Sequence, residues 1–265
     1  MNGLSSVNSV YNNQYSYYLR PNNNTVRVHQ EDSPEKTVVA AGILQVIALA
    51  LNKVSQWCSN KLMQGKEFTT VENVKKIAQS MVDQNKLPVK VDFIDGKNIG
   101  TYEEHLREAL KPVARGENAF YADELKLAVA PKSKPSLILH ELGHAINAHK
   151  GKFLKFLQKS RIWAASIPTA LVMLNDFGNK AKPDDGKKSF IERHAGKIGF
   201  AAFLPTVIEE GLASIRGVKA AKKVLGNTVN LKPLKRNYFF AWMTYLLSGI
   251  GLGVAAKQAV LSSKE

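Results

Sequence analysis

Two histidines and a glutamate occur at a spacing that can bind a metal ion and use it. His140, Glu141 and His144 form the pattern His-Glu-x-x-His within residues 136–149. Residues four apart on a helix point to the same side, so both imidazoles can reach one ion. The glutamate lies beside that face, where its carboxylate can take a proton from a metal-bound water. Zn²⁺ is the ion expected here, because it lowers the pKa of such a water to about 7.

The residues around this pattern predict the helix that it needs. Pro135 stands where a helix can begin, and aliphatic residues then recur at helical spacing. The members of this apolar stripe are Leu137, Ile138, Leu142, Ala145 and Ile146. The alternative is a chance match, with the histidines merely packed or solvated on an ordinary helix.

A strand is expected directly before this helix. Residues 124–130 alternate in part between polar and apolar side chains, and the pattern ends at Pro131. We interpret the stretch as an exposed edge strand. An extended polypeptide substrate could then pair with residues 126–130 by adding a strand.

A catalytic zinc site needs a third protein ligand besides the two histidines. His149 is poorly aimed, because it lies five residues beyond His144 and therefore about 140° around the helix. Residues 206–216 offer a better source, since they read as a second helix that begins after a proline.

In that second helix Thr206 and Glu209 match a capping box, Thr-x-x-Glu. If Glu209 folds back onto the helix start, Glu210 is free to face the metal, with Glu209 as the fallback ligand. Ser214, four residues after Glu210, could orient a ligand by a hydrogen bond from behind. The alternative is that both glutamates are surface residues at a helix N-terminus, where negative charge is favoured.

Composition points to an anionic partner and a reducing compartment. The 265 residues have a net charge of +15 and a single cysteine, Cys58, which excludes an internal disulfide. A membrane surface or nucleic acid would satisfy the charge. We rank nucleic acid lower, because no zinc finger, RNA-recognition motif or aromatic-interleaved basic groove is present. The first residues do not show the pattern of a secretory signal, so we do not expect one.

Several apolar segments favour the membrane. Residues 238–256 lack charge, are bracketed by basic residues and form the best transmembrane candidate, with a buried core helix as the alternative. Residues 38–51 predict a buried or interfacial helix. Residues 162–174 and 199–208 predict a short re-entrant, interfacial or buried hairpin around a polar loop, and the basic amphipathic residues 150–161 suit lipid headgroups.

The motif His140-Glu-Leu-Gly-His-x4-His149, followed later by Glu210-x-x-Ala213-Ser214, resembles the gluzincin metallopeptidases over about residues 120–220. The closest type is the HtpX-like and CAAX-prenyl-protease superfamily. The resemblance implies zinc ligands His140, His144 and Glu210, with Glu141 as general base and later proton donor. Two departures alter the comparison, since those families usually have an aspartate where Ser214 stands and their polytopic members have longer apolar segments.

A further histidine stands outside this ligand set. His194 could stabilise an oxyanion as a histidine does in some gluzincins, but a loop histidine without a catalytic part is the preferred interpretation.

Together these features predict a mostly helical α+β fold with a zincin-like core and a small sheet. We expect a disordered arm over residues 1–36, a metallopeptidase domain over 37–230 and an apolar helix over 231–265 that could cross a membrane. The expected function is zinc-dependent endopeptidase cleavage of a polypeptide, at a membrane and with a cytoplasmic active site. The alternatives are a soluble cytoplasmic enzyme, a DNA-associated metalloprotease, and a non-catalytic basic membrane-binding protein with a degenerate zincin core.

Overall fold

A computed structural model describes residues 34–164, 166–180 and 189–263 of the chain. It is mostly helical with one small mixed sheet, which confirms the predicted α+β class. Its described residues fall into two units. The sheet unit comprises Cys58–Gln158 and Ile208–Met243, and the apolar unit comprises the described parts of Ser9–Trp57, Lys159–Val207 and Thr244–Glu265. The predicted arm lies outside the described residues except for residues 34–36.

The elements follow one another in a fixed order along the chain. They are α1 (Pro34–Met63), α2 (Val71–Asn85), β1 (Lys90–Ile94), a short 3-10 helix (Ile99–Thr101), α3 (Glu104–Ala114), β2 (Phe120–Ala122), β3 (Leu127–Pro131), α4 (Leu137–His149), α5 (Lys152–Ala164), α6 (Ile167–Lys180), α7 (Phe190–Leu225) and α8 (Lys232–Ser262).

Local sequence accounts for the first elements of the sheet unit. Thr70 caps α2, because its hydroxyl oxygen accepts a hydrogen bond from the backbone N–H of Asn73 at 3.4 Å. The chain turns after β1 at Asp95, whose carboxylate accepts hydrogen bonds from the N–H groups of Lys97 and Asn98. Residues close by in the sequence therefore account for the start of α2 and for the turn after β1.

The strand before α4 is central in the sheet, and the prediction of an exposed edge over residues 124–130 is wrong. The strand order is β1-β3-β2, with β3 parallel to β1 and antiparallel to β2. Successive β3 residues pack into two different clusters, with Ala128 and Ala130 on one side and Leu127 and Val129 on the other. A strand covered on both faces loses clean alternation. The expected pairing of a substrate with residues 126–130 is therefore excluded where β2 lies beside β3. Both edges of β3 are occupied there, one by β1 and the other by β2.

The helix with the His-Glu-x-x-His motif lies deep in the core of the sheet unit. Its aliphatic side chains pack with α2 residues and with one face of β3. Ile138, Leu139 and Leu142 are fully buried. Burying each such side chain contributes about 1.5–3 kcal/mol, so α4 is held firmly enough to position the motif.

The start of α7 differs from the prediction. The helix begins at Phe190, where Ser189 Oγ accepts from the N–H of Glu192 at 3.0 Å and Glu192 Oε2 accepts from the N–H of Ser189 at 3.3 Å. This is a capping box. Thr206 lies inside the helix, and its hydroxyl has no hydrogen-bond partner among the described residues. The predicted helix start and cap at Thr206 are therefore wrong, and the predicted apolar piece over residues 199–208 is one part of a longer helix.

Several large apolar side chains of the apolar unit lie at its surface. On α6, Met173, Leu174 and Phe177 are 57–78% exposed, whereas Asn175 on the same helix is 1% exposed. α1 exposes Ile43 in the same way. By length and composition, α7 and α8 could each cross a membrane.

Candidate metal centre

Two helices of the sheet unit come into backbone contact at the His-Glu-x-x-His motif. A Cβ atom placed on Gly143 of α4 would lie 2.4 Å from the carbonyl oxygen of Ala213 on α7. Only glycine permits this approach. Because Gly143 precedes His144 and Ala213 follows Glu210 by one turn, the contact brings the histidines against the glutamates.

Three ligand atoms converge at this contact. His140 Nε2 lies 3.0 Å from His144 Nε2 and 3.1 Å from Glu210 Oε2, and His144 Nε2 lies 3.5 Å from the same oxygen. A tetrahedral zinc ion bound at about 2.0–2.1 Å separates neighbouring ligand atoms by about 3.3–3.4 Å. The three atoms therefore stand close to the spacing that one such ion requires. They belong to two overlapping groups that could each hold a metal ion, His140 with Glu141 and His144, and His144 with Glu209 and Glu210.

The other nitrogen of each imidazole has a partner that fixes the ring. His140 Nδ1 lies 3.1 Å from Ser214 Oγ, and His144 Nδ1 lies 2.7 Å from Glu209 Oε1. An ionised carboxylate only accepts hydrogen bonds, so His144 Nδ1 is the donor, and in the neutral ring Nε2 can then bind a metal. The hydrogen bond expected of Ser214 is thus present, whereas Glu209 orients a histidine instead of capping a helix.

Sequence reasoning missed two residues behind Glu209. Asn147 is fully buried, and its side-chain amide donates to Glu209 Oε1 at 3.0 Å. Arg216 Nε donates in turn to Asn147 Oδ1 at 2.8 Å. The chain of contacts from Arg216 through Asn147 and Glu209 ends on His144. The spacing could have revealed Asn147, because it lies three residues after His144 and seven after His140 on the same side of the helix.

The site concentrates negative charge away from water. Glu209 and Glu210 are both 0% exposed, and an isolated buried carboxylate is costly unless a cation balances it. Burial opposes protonation of His144, but the two neighbouring carboxylates outweigh burial and raise its pKa well above the usual range. A proton on His144 and a divalent cation between the ligands are therefore two competing ways to balance the same charge.

Glu141 and Tyr238 border the ligand atoms. Glu141 is 9% exposed, and its carboxylate belongs to the same close group as the ligand nitrogens of the two histidines. The ring of Tyr238 lies 5.6 Å from that of His140, and its hydroxyl donates to the carbonyl oxygen of Ser136 at 2.6 Å. Tyr238 is thereby held beside His140. No local pattern in the sequence predicts this contact.

The two remaining candidate histidines have other contacts. His149 Nδ1 bonds to the carbonyl oxygen of Ala145 at 2.9 Å, in keeping with its poor aim along the helix. His194 lies in α7 within the apolar unit, where its ring packs on Phe190 with 4.6 Å between ring centroids. The expectation of a loop histidine is therefore wrong, because the capped helix begins before it.

No protein-family model, curated protein or solved structure matches this chain.

Proposed function

We propose that this chain is a zinc-dependent metalloendopeptidase of the gluzincin type, built on a zincin-like core and attached to a membrane. The observation that supports it most directly is the triangle formed by His140 Nε2, His144 Nε2 and Glu210 Oε2, with sides of 3.0–3.5 Å. These residues would hold the ion. Glu209 is the weaker candidate for third ligand, because its Oε1 atom is taken by His144 Nδ1 on the far side of the ring.

A zinc ion held by these three residues would act as a Lewis acid and make a water molecule reactive at neutral pH. Glu141 would then accept the proton of that water and pass it to the amine that leaves. Its position beside the ligand nitrogens of the two histidines supports this part, because a general base must lie within reach of the water that it deprotonates.

The remaining contacts would keep the ligands in place during this chemistry. Ser214 and Glu209 each hold the Nδ1 side of one imidazole, so that neither ring can turn its Nε2 away. Two helices fix the whole arrangement through the backbone contact at Gly143, and rigid support of this kind reduces the cost of reorganisation.

Membrane attachment is supported by the lengths and composition of α7 and α8 and by the apolar exterior of the second unit. A single cysteine suits a cytoplasmic location of the active site. The substrate would be an unfolded or extended polypeptide, since cleavage by a metal-activated water requires the peptide carbonyl to reach the ligand triangle.

The test is the variant Glu141→Gln, with Glu108→Gln as the control because Glu108 is an exposed carboxylate on α3. We expect Glu141→Gln to keep its zinc, measured by elemental analysis, and to lose at least about 10²–10⁴-fold in cleavage of an unfolded protein such as casein. Glu210→Ala should lose the metal as well as the activity. Cleavage by Glu141→Gln at the wild-type rate would remove the assigned base, and zinc binding without any cleavage by the wild type would leave a metal-binding protein.

A further inference from the structure

α5 presents three parallel stripes of side chains. The inner stripe contains Leu157 and Ala164, which are buried. The aromatic stripe lies beside it, because Phe156 and Trp163 each precede a buried residue by one position. Its members are Phe153, Phe156 and Trp163, and these side chains are 61–70% exposed. One residue earlier again runs a basic stripe, which consists of Lys152, Lys155 and Lys159, all exposed. Neighbouring stripes are about 100° apart, so the lysines emerge opposite the buried side.

Charge narrows the kind of partner that fits this surface. Residues 150–175 contain five lysines and arginines and neither aspartate nor glutamate. An ordinary protein partner would have to cover the rings and also supply acidic groups in register with each lysine. A layer of anionic lipid headgroups satisfies both demands at once, because the rings enter the boundary of the acyl chains while the lysine stems extend to the phosphates.

The helix length favours an orientation along the membrane surface. The 13 residues of α5 span about 20 Å, which is less than the roughly 30 Å thickness of the hydrocarbon core. Phenylalanine and tryptophan with flanking lysines are typical of helices that lie in the interfacial region. A side chain of tryptophan is especially suited to that depth, since its indole is apolar with one polar N–H.

We propose that the aromatic and basic stripes of α5 bind the surface of an anionic bilayer, with the helix axis parallel to the membrane. The inference rests on the membrane attachment in the proposed function but not on the metal site or on catalysis. It adds a selectivity for anionic lipid that transmembrane helices alone would not give, since each lysine near such a surface is attracted to its negative charge.

The experiment uses Trp163 as its probe. The full chain has three tryptophans, so the double variant Trp57→Phe and Trp242→Phe leaves Trp163 as the only one. It is incorporated into vesicles of phosphatidylcholine alone or of an equimolar mixture with phosphatidylglycerol. Part of the lipid in each preparation has bromine either near the carbonyl end or near the methyl end of the acyl chain.

We expect the emission of Trp163 to shift to the blue and to be quenched more strongly by the shallow bromine than by the deep one, above all in the anionic vesicles. Replacing Lys152, Lys155 and Lys159 by glutamine should reduce the quenching in anionic vesicles. The apparent affinity for these vesicles, obtained from the quenching, should fall at least about tenfold. The matched control replaces Lys76, Lys219 and Lys222, three exposed lysines on other helices, and should leave the quenching unchanged.

Three results would overturn the inference. One is an unquenched Trp163 in protein that floats with the vesicles, which leaves the membrane attachment intact. Another is equal quenching in neutral and anionic vesicles. The third is a blue shift in detergent that depends on protein concentration without lipid, which assigns the aromatic stripe to a second copy of the chain. Protein that fails to float at all would instead contradict the membrane attachment itself.

Discussion

Two regions of this protein distribute polar and apolar side chains in opposite ways. Over residues 64–149 of the sheet unit no large apolar side chain is exposed, and the buried polar groups around the candidate metal centre are joined in one network. In the apolar unit, α6 turns Phe177 outward and the amide of Asn175 inward, and the Nδ2 atom of that amide has no partner among the described residues. The first arrangement suits an interior that excludes water, and the second suits an exterior that meets lipid.

Under the proposed function, this contrast would place the metal chemistry around α4 and the lipid contact on the exterior of α6. A glycine contact tests the sheet unit most severely. Gly143→Ala would place a methyl group 2.4 Å from a backbone oxygen of α7, and a backbone cannot move aside cheaply. We expect a loss of about 3 kcal/mol in the free energy of unfolding, together with weaker metal binding, measured by chemical denaturation and by competition with a chelator.

The matched control for this substitution lies in the apolar unit. A Cβ atom added to Gly178 on α6 would meet no other atom within 4 Å, so alanine there should stabilise the helix by up to about 0.5–1 kcal/mol. Opposite signs for the two variants would sharpen the comparison. An unchanged unfolding midpoint and metal affinity for Gly143→Ala would mean that α4 and α7 do not depend on this contact.

The apolar unit is tested by a charge on its outer surface. Leu174 is 57% exposed, and an exposed leucine in water tolerates replacement by aspartate within about 0.5 kcal/mol. If Leu174 faces acyl chains, Leu174→Asp should instead destabilise the protein by about 2–3 kcal/mol in a phosphatidylcholine bilayer. Thermal unfolding in that bilayer measures the loss, and Gln64→Asp, at an exposed position of the sheet unit, should have little effect. Equal and small effects of both variants would contradict a lipid-facing α6.

Sequence reasoning succeeded where a feature depends on neighbours along the chain. The predicted helix under His140 and His144 is confirmed, because it follows from aliphatic residues within one or two turns. The hydrogen bond of Ser214 also followed, because helical spacing carries Ser214 and Glu210 to one side.

Sequence reasoning failed where two local patterns were equivalent. Ser189 with Glu192 and Thr206 with Glu209 both fit the capping box, and Pro205 made the second pair look like a helix start. Long-range contacts decide between them, since Glu209 is fully buried against His144 whereas Glu192 bonds back to Ser189.

The position of β3 was unpredictable for a related reason. Its central place depends on a parallel pairing with β1, from which it is separated along the chain by α3 and β2. No local pattern records a pairing between strands that are so far apart in sequence.

A substitution in the contact network behind the candidate metal centre should have a smaller effect. It should change the metal affinity only when it is made in the sheet unit. Asn147→Leu keeps the size of the side chain but removes the amide that holds Glu209 against His144. Loss of such a supporting contact typically weakens metal binding about 10–100-fold. Metal affinity from chelator competition measures it, and Asn175→Leu in the apolar unit is the matched control, with no expected effect on affinity. Equal affinities for wild type and Asn147→Leu would show that Glu209 holds His144 without help.

The smallest effect is a dependence of stability on pH that reverses when the metal is removed. Without metal, the raised pKa of His144 means that its proton stabilises the fold fully below about pH 6.5, its unfolded value, and that this stability is lost as the pH rises through the folded value. With metal bound, the imidazole must be neutral, so stability is instead lost as the pH falls below about 6.5. Each slope should approach at most about 1.4 kcal/mol per pH unit for this one proton. Urea unfolding at several pH values, with zinc or with a chelator, tests the reversal, and His105→Gln, at an exposed histidine on α3, should preserve it. If both forms followed the same trend with pH, His144 would not be the group that exchanges its proton for the ion, and the metal centre would have to lie on other side chains of the sheet unit.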